Sequence, residues 1–295
     1  MPIPPIVDTH LHFWKLGGLS YPWLDDPGAA GLRHDYLPDD LLADAAGLDL
    51  AGTVHVQAEM SHDDDPALET AWLSGLAAAD HDIPTAIVGY ADLRDDRLGE
   101  VLDRHQAFPR FRGIRQESWY DPRSTRADVP TVNFLDDPAW TRGLRELARR
   151  GLVFDLLVWD HQLPQAARIF GAMPELPVVL EHTGVLTDLA LRDRWAAGLR
   201  TFAAEVPHAV MKLSGLMVPS PTYDRAVLRP LVREVLEIFG PARCILGSNF
   251  PVDRLAISFR DLFAFFDDCT SDLGEAERAA IFHGTATRIY GLDRG

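Results

Sequence analysis

A chain of 295 residues, 47% hydrophobic and 24% charged, has the composition of an ordinary globular protein and is long enough to bury a large core. No apolar run approaches membrane-spanning length, and a formal net charge of −16 repels nucleic acid and anionic membranes, leaving a small molecule as the expected partner. The two cysteines, Cys244 and Cys269, are too few for a disulfide framework or a thiolate metal site, so a reducing cytoplasm is the expected location.

The N-terminal Met1-Pro2-Ile3-Pro4-Pro5 lacks a basic region followed by an apolar stretch, and no signal peptide is expected. The first strand is predicted at 6–12. Side chains alternate along a strand, so Asp8, His10 and His12 should share one face and Thr9 and Leu11 the other. A loop at 13–37, rich in aromatics (Trp14, Tyr21, Trp23), leads to a helix over 38–48 that starts on Pro38. Strands at 52–58, 85–91 and 111–116 then alternate with helices at 66–80 and 96–107. A second long loop, 117–137, carries Trp119, Tyr120 and Pro122, and both loops read as pocket walls. Helix 138–150, strand 152–159, helix 163–173, strand 177–184, helix 190–206, strand 209–216, helix 223–239, strand 243–250 and helices 258–269 and 275–290 complete the series. The strands are near-continuous Val, Ile and Leu, as suits parallel strands buried on both faces. Eight strand–helix units predict an α/β chain folded as one (β/α)8 TIM barrel over 1–295, with a doubly wound open sheet as the runner-up.

Active groups of such barrels come from the C-terminal strand ends. Strand 1 offers His10 and His12, two imidazoles suited to a divalent cation or to polarising a carbonyl. Strand 2 offers His55 and Gln57. Strand 4 ends on Arg115 and Gln116, where a buried guanidinium needs an anionic partner or a substrate carboxylate. Strand 5 carries Asp155, Trp159, Asp160 and His161; strand 6 ends Glu181-His182; strand 7 carries Lys212 and Ser214. Strand 8 ends on Asn249, with Asp253 just beyond.

Val-Asp-Thr-His-Leu-His-Phe-Trp at 7–14, Phe-Arg-Gly-Ile-Arg at 111–115, Phe-Asp-Leu-Leu-Val at 154–158, Val-Leu-Glu-His-Thr-Gly at 179–184, Met-Lys-Leu-Ser-Gly-Leu at 211–216 and Gly-Ser-Asn-Phe-Pro-Val at 247–252 together resemble the amidohydrolase superfamily. Within it the chain is similar to the branch of sugar-lactone and aromatic-lactone hydrolases, from residue 6 to Tyr290. The resemblance places the family's first-strand histidine pair on His10 and His12, its strand-6 histidine on His182 and its strand-8 acid on Asn249. That last position departs from the pattern, because a neutral amide is a poor metal ligand and no base. The lysine that bridges two metals at the end of strand 4 in binuclear members is also absent; Arg115-Gln116 stands there, which argues against a dinuclear site.

The resemblance implies a hydrolase that opens a small carboxylated or polyhydroxylated lactone. His10, His12 and His182 would hold one divalent ion such as zinc or manganese, although the charges of Arg115 and Lys212 oppose a cation. Without metal, the same groups would polarise the carbonyl, and Asp155 or Asp253 would be the base. Arg115, Gln116, Lys212, His55, Trp14 and Trp119 are the expected substrate contacts. The alternatives are a decarboxylase or hydratase of the same superfamily and a non-catalytic ligand-binding barrel. A homo-oligomer is compatible with the sequence, and Trp72 would suit either an interface or the core.

Overall fold

The computed structural model describes residues 2–79, 81–124 and 130–293. The end of the predicted second helix at Asp80 and the centre of the 117–137 loop lie outside the described residues.

Eight parallel strands follow one another in chain order around a barrel: β1 (Ile6–Leu11), β2 (Leu50–Val56), β3 (Ala86–Gly89), β4 (Phe111–Arg115), β5 (Val153–Leu156), β6 (Val178–Leu180), β7 (Val210–Leu213) and β8 (Cys244–Leu246). The seam between β8 and β1 is closed at the C-terminal end, where Asn249 N donates to His10 O at 2.7 Å and His12 N to Phe250 O at 2.8 Å. Ser248 reinforces it, donating to the Asp8 carboxylate through its backbone N at 2.8 Å and its hydroxyl at 2.6 Å. Asp8 is therefore not in the face shared by His10 and His12: the β1–β2 register shifts between Asp8 and Leu11, which breaks the expected alternation.

Around the barrel pack α1 (Pro38–Asp44), α2 (Ala67–Ala79), α3 (Leu98–Gln106), α4 (Pro138–Arg149), α5 (Leu163–Gly171), α6 (Arg192–Glu205), α7 (Arg225–Phe239) and α8 (Phe259–Cys269). Asp137, Asp224 and Ser258 cap three of them by accepting from backbone N–H groups of the first turn, as short polar side chains do. The helix expected at 275–290 is divided: α9 (Glu275–Ala279) runs through one π turn at 280–284 into α10 (Thr285–Tyr290). Its last turn closes the barrel floor. There Ala286 and Tyr290 join the interior side chains Val7, Val54, Val56, Val88, Val153, Val179, Val210 and Ile245. A second, larger core lies between strands and helices, with Trp140, Phe154 and Phe170 in mutual contact. Trp72 is partly buried against this core. Each fully buried large apolar side chain contributes about 1.5–3 kcal/mol. No helix among the described residues is long and apolar enough to cross a membrane.

Most strands stop earlier than their apolar runs suggest. Just past their ends the chain turns into left-handed backbone at Glu59 (φ 55), His182 (φ 53), Gly215 (φ 61) and Asn249 (φ 58). Non-glycine residues rarely adopt this conformation, and its clustering on one rim marks the functional face of the barrel.

Candidate active site

A cavity of about 710 Å³ opens at that rim, with His12, His182, Arg115, Asn249 and Asp253 among the polar groups lining it. Trp23, Met60, Trp119, Leu157 and Val252 form apolar walls.

The three histidines meet at its base. The His10 ring centre is 4.9 Å from that of His12 and 4.6 Å from that of His182. Each ring is held through Nδ1: His10 by Glu181 Oε1 at 2.9 Å, His12 by the Val56 carbonyl at 2.7 Å, His182 by Ser214 Oγ at 2.9 Å. A carboxylate and a carbonyl only accept, so in His10 and His12 the proton sits on Nδ1 and Nε2 presents a bare lone pair. Burial keeps the rings neutral, lowering His10 and His12 well below the usual histidine range and His182 to about 4. His10 Nε2 is fully buried and has no hydrogen-bond partner. Neutral imidazoles oriented through their second nitrogen are the pattern of cation ligands, and His10 and His12 present such a nitrogen beside His182. Gly215 makes room for this arrangement, since a Cβ there would stand 2.5 Å from His182 Cγ.

Glu181, which the sequence places at a strand end without a role, is the organising residue. Together with His10 and His182 it forms a group whose ligand atoms lie within 4.8 Å of one another. Burial raises its proton affinity, but His10, Lys212 and Arg115 outweigh burial and hold it ionised, well below the usual carboxylate range. Lys212 Nζ stands 3.3 Å from Glu181 and 2.5 Å from Asp155, and Asp155 also accepts from Tyr290 OH at 2.9 Å.

Several expected substrate contacts stand elsewhere. Lys212 and Asp155 point into the barrel but lie below the cavity, fully buried and paired with each other, and neither is among the residues lining it. His55 lies between the interior residues Val54 and Val56 and so faces outward, stacked on Phe13 with Nε2 3.7 Å from Glu69. Gln116 follows Arg115 and also turns outward, accepting from Trp140 Nε1 at 3.1 Å and Leu93 N at 3.2 Å. Trp14 is buried, donating to the His34 carbonyl at 2.6 Å, and packs edge-on against Trp23, which takes the cavity wall instead. Trp119 does line the cavity, with its ring 5.9 Å from that of Trp159.

Arg115 also lines the cavity, but its charge is already surrounded. Glu181 and Glu117 are each 3.7 Å from its guanidinium and Glu59 is 3.8 Å away. Glu59 pairs in turn with His62 at 3.2 Å, whose ring stacks on Tyr90. Across the cavity Asn249 Oδ1 is 3.4 Å from His12 Nε2, and its Nδ2 donates to Asp253 Oδ1 at 2.8 Å. Glu59, His62 and Tyr223, which donates to Asp253, come from irregular segments where no periodicity marks them.

Residues 7–292 match the family described as amidohydrolase. An uncharacterised protein of Sinorhizobium fredii is 36% identical to this chain over 97% of its residues and 98% of the relative. An L-fucono-1,5-lactonase of Burkholderia multivorans is 33% identical over 97% of the chain and 96% of that enzyme. A crystal structure of an amidohydrolase from Burkholderia multivorans with bound zinc superposes with a TM-score of 0.83 at 32% identity, covering 98% of this chain and 99% of that one.

Proposed function

The chain belongs to the amidohydrolase family, and we propose that it is a hydrolase that opens the ring of a small, uncharged, polyhydroxylated lactone. The observation that carries this reading is the convergence of His10, His12 and His182, each anchored through Nδ1, at the base of a cavity with apolar walls.

His10, His12 and His182 would hold a divalent ion such as zinc through Nε2. When bound, such an ion acts as a Lewis acid on a carbonyl oxygen. The tautomers of His10 and His12 support this over the metal-free alternative at those two rings, because a bare Nε2 cannot donate a hydrogen bond to a developing oxyanion. Glu181 keeps the His10 ring in its orientation and offsets cationic charge near the site.

The surroundings of Arg115 support an uncharged substrate. It is the single lysine or arginine among the described residues lining the cavity, and Glu59, Glu117 and Glu181 surround it. An additional substrate carboxylate would meet these acids, whereas sugar hydroxyls can donate to Glu59 and Glu117 while apolar ring faces rest on Trp23 and Trp119. The Burkholderia relative named for a sugar lactone points the same way.

The test is a panel of lactones with proton release as the signal. L-Fucono-1,5-lactone and other neutral sugar lactones should be opened far above the uncatalysed rate, and lactones bearing carboxylates much less. Preference for the carboxylated compounds would contradict the assignment of substrate class.

A further inference from the structure

The strand-end acid that serves family members as base is Asn249 here, yet ring opening still needs a group to take a proton from water. Most of the deeply buried carboxylates near the site are committed to cations: Glu181, which also accepts from the neutral His10, to Lys212 and Arg115, and Asp155 to Lys212. Asp253 is different. It is 1% exposed, lines the same cavity as His12, His182 and Arg115, and is held by neutral donors alone. Tyr223 OH donates to Oδ2 at 2.5 Å and Asn249 Nδ2 to Oδ1 at 2.8 Å. The neighbouring Arg254 turns away toward Asp44, 3.4 Å distant. Each carboxylate oxygen therefore keeps a lone pair beyond the hydrogen bond that fixes it.

We propose, building on the lactonase reading, that Asp253 is the general base, with Tyr223 and Asn249 as the positioning residues that aim it. Asp253 takes a proton from water as the water oxygen bonds to the lactone carbonyl carbon. The ring C–O bond then breaks, and the departing ring oxygen receives the proton back from Asp253, giving the open hydroxy acid. No other reactant is needed. The Asn249 amide also borders the His12 edge of the site, its Oδ1 standing 3.4 Å from Nε2. In this arrangement the acid has moved four positions along the chain, from the strand end to the following turn. Burial without a cationic partner supports the assignment, pushing the Asp253 carboxyl up to about 7, where a base exchanges protons readily at neutral pH.

The groups facing Asp253 are Tyr223 from the segment before α7, Asn249 beyond β8 and, past Asn249, His12 beyond β1. The test compares wild type, D253N and Y223F on the best lactone of the panel, with circular dichroism confirming the fold. D253N keeps the packing, and its kcat should fall by about 10²–10⁴, with KM changed little. Y223F should keep most of its maximal rate but shift the acid limb of the pH profile upward, because the lost hydrogen bond favoured the ionised acid. Wild-type turnover with D253N above a tenth of the wild-type rate overturns the role of Asp253. An unmoved acid limb in Y223F overturns the role of Tyr223. Wild type inert toward every lactone overturns the lactonase reading and, with it, this one.

Discussion

His10 Nδ1 meets Glu181 Oε1 at 2.9 Å, with both side chains fully shielded from solvent. The pair continues downward: Lys212 contacts Glu181 and Asp155, and Tyr290 contacts Asp155, so polar contacts run from the floor helix to the base of the cavity. Lys212 is thus a structural cation beneath the site.

Replacing Lys212 by Met should destabilise the fold by about 3–5 kcal/mol, because it strands Asp155 and weakens the pairing of Glu181. Adding Asp155→Leu should recover part of the loss. Urea denaturation of the single and double variants checks both statements; equal stability of Lys212→Met and wild type would remove the network from this account.

Gly215→Ala places a methyl group 2.5 Å from His182 Cγ at a residue with φ 61, so the imidazole must move. Displacement of a reacting group by about 1 Å costs roughly 100-fold in rate. The expected result is that loss in kcat/KM with the fold retained, measured on the best lactone of the panel.

Asn249→Asp should strengthen binding of zinc or manganese, since a carboxylate is the better cation ligand and the side chain reaches 3.4 Å from His12 Nε2. The new acid would face Asp253 across what is now a 2.8 Å hydrogen bond. Two such carboxyl groups retain a proton between them, so ion binding should release a proton and become more pH-dependent than in wild type. Titration calorimetry in two buffers of different ionisation enthalpy measures both effects.

With Asp253 acting in its ionised form and its carboxyl raised to about 7 by burial, kcat/KM should be constant on the alkaline side and fall on the acid side. The fall should approach tenfold per pH unit, since the ionised fraction declines by that factor. His182, lowered to about 4 by burial, stays neutral throughout this window and adds no second limb. An acid limb centred near the ordinary carboxylate range would contradict the prediction.

The barrel was legible because its inner strands are runs of Val and Ile with turn residues between them, and because His10 and His12 sit two positions apart at a strand end. Continuous apolar runs also hide which face is which: nothing in Thr53-Val54-His55-Val56 tells that the valines point inward and His55 toward α2. Depth is equally invisible. Arg115 and Asp155 are lateral partners on β4 and β5, yet the long guanidinium reaches the cavity while the short carboxylate stays below. Tyr290 meets Asp155 across 135 positions of sequence, a closure that only the packed barrel creates. Glu59 and Tyr223 escaped notice because left-handed turns set their directions, whereas Trp23 stands in a loop whose aromatics marked it as a pocket wall.

The central claim is most directly tested by the initial rate of ring opening of a neutral sugar 1,5-lactone, near neutral pH, with wild type and His182→Ala side by side. The account predicts saturable turnover by the wild type and a loss of roughly 10²–10³ in the variant, which should remain folded. A variant that matches wild type, or a wild type no faster than the uncatalysed reaction, would contradict it.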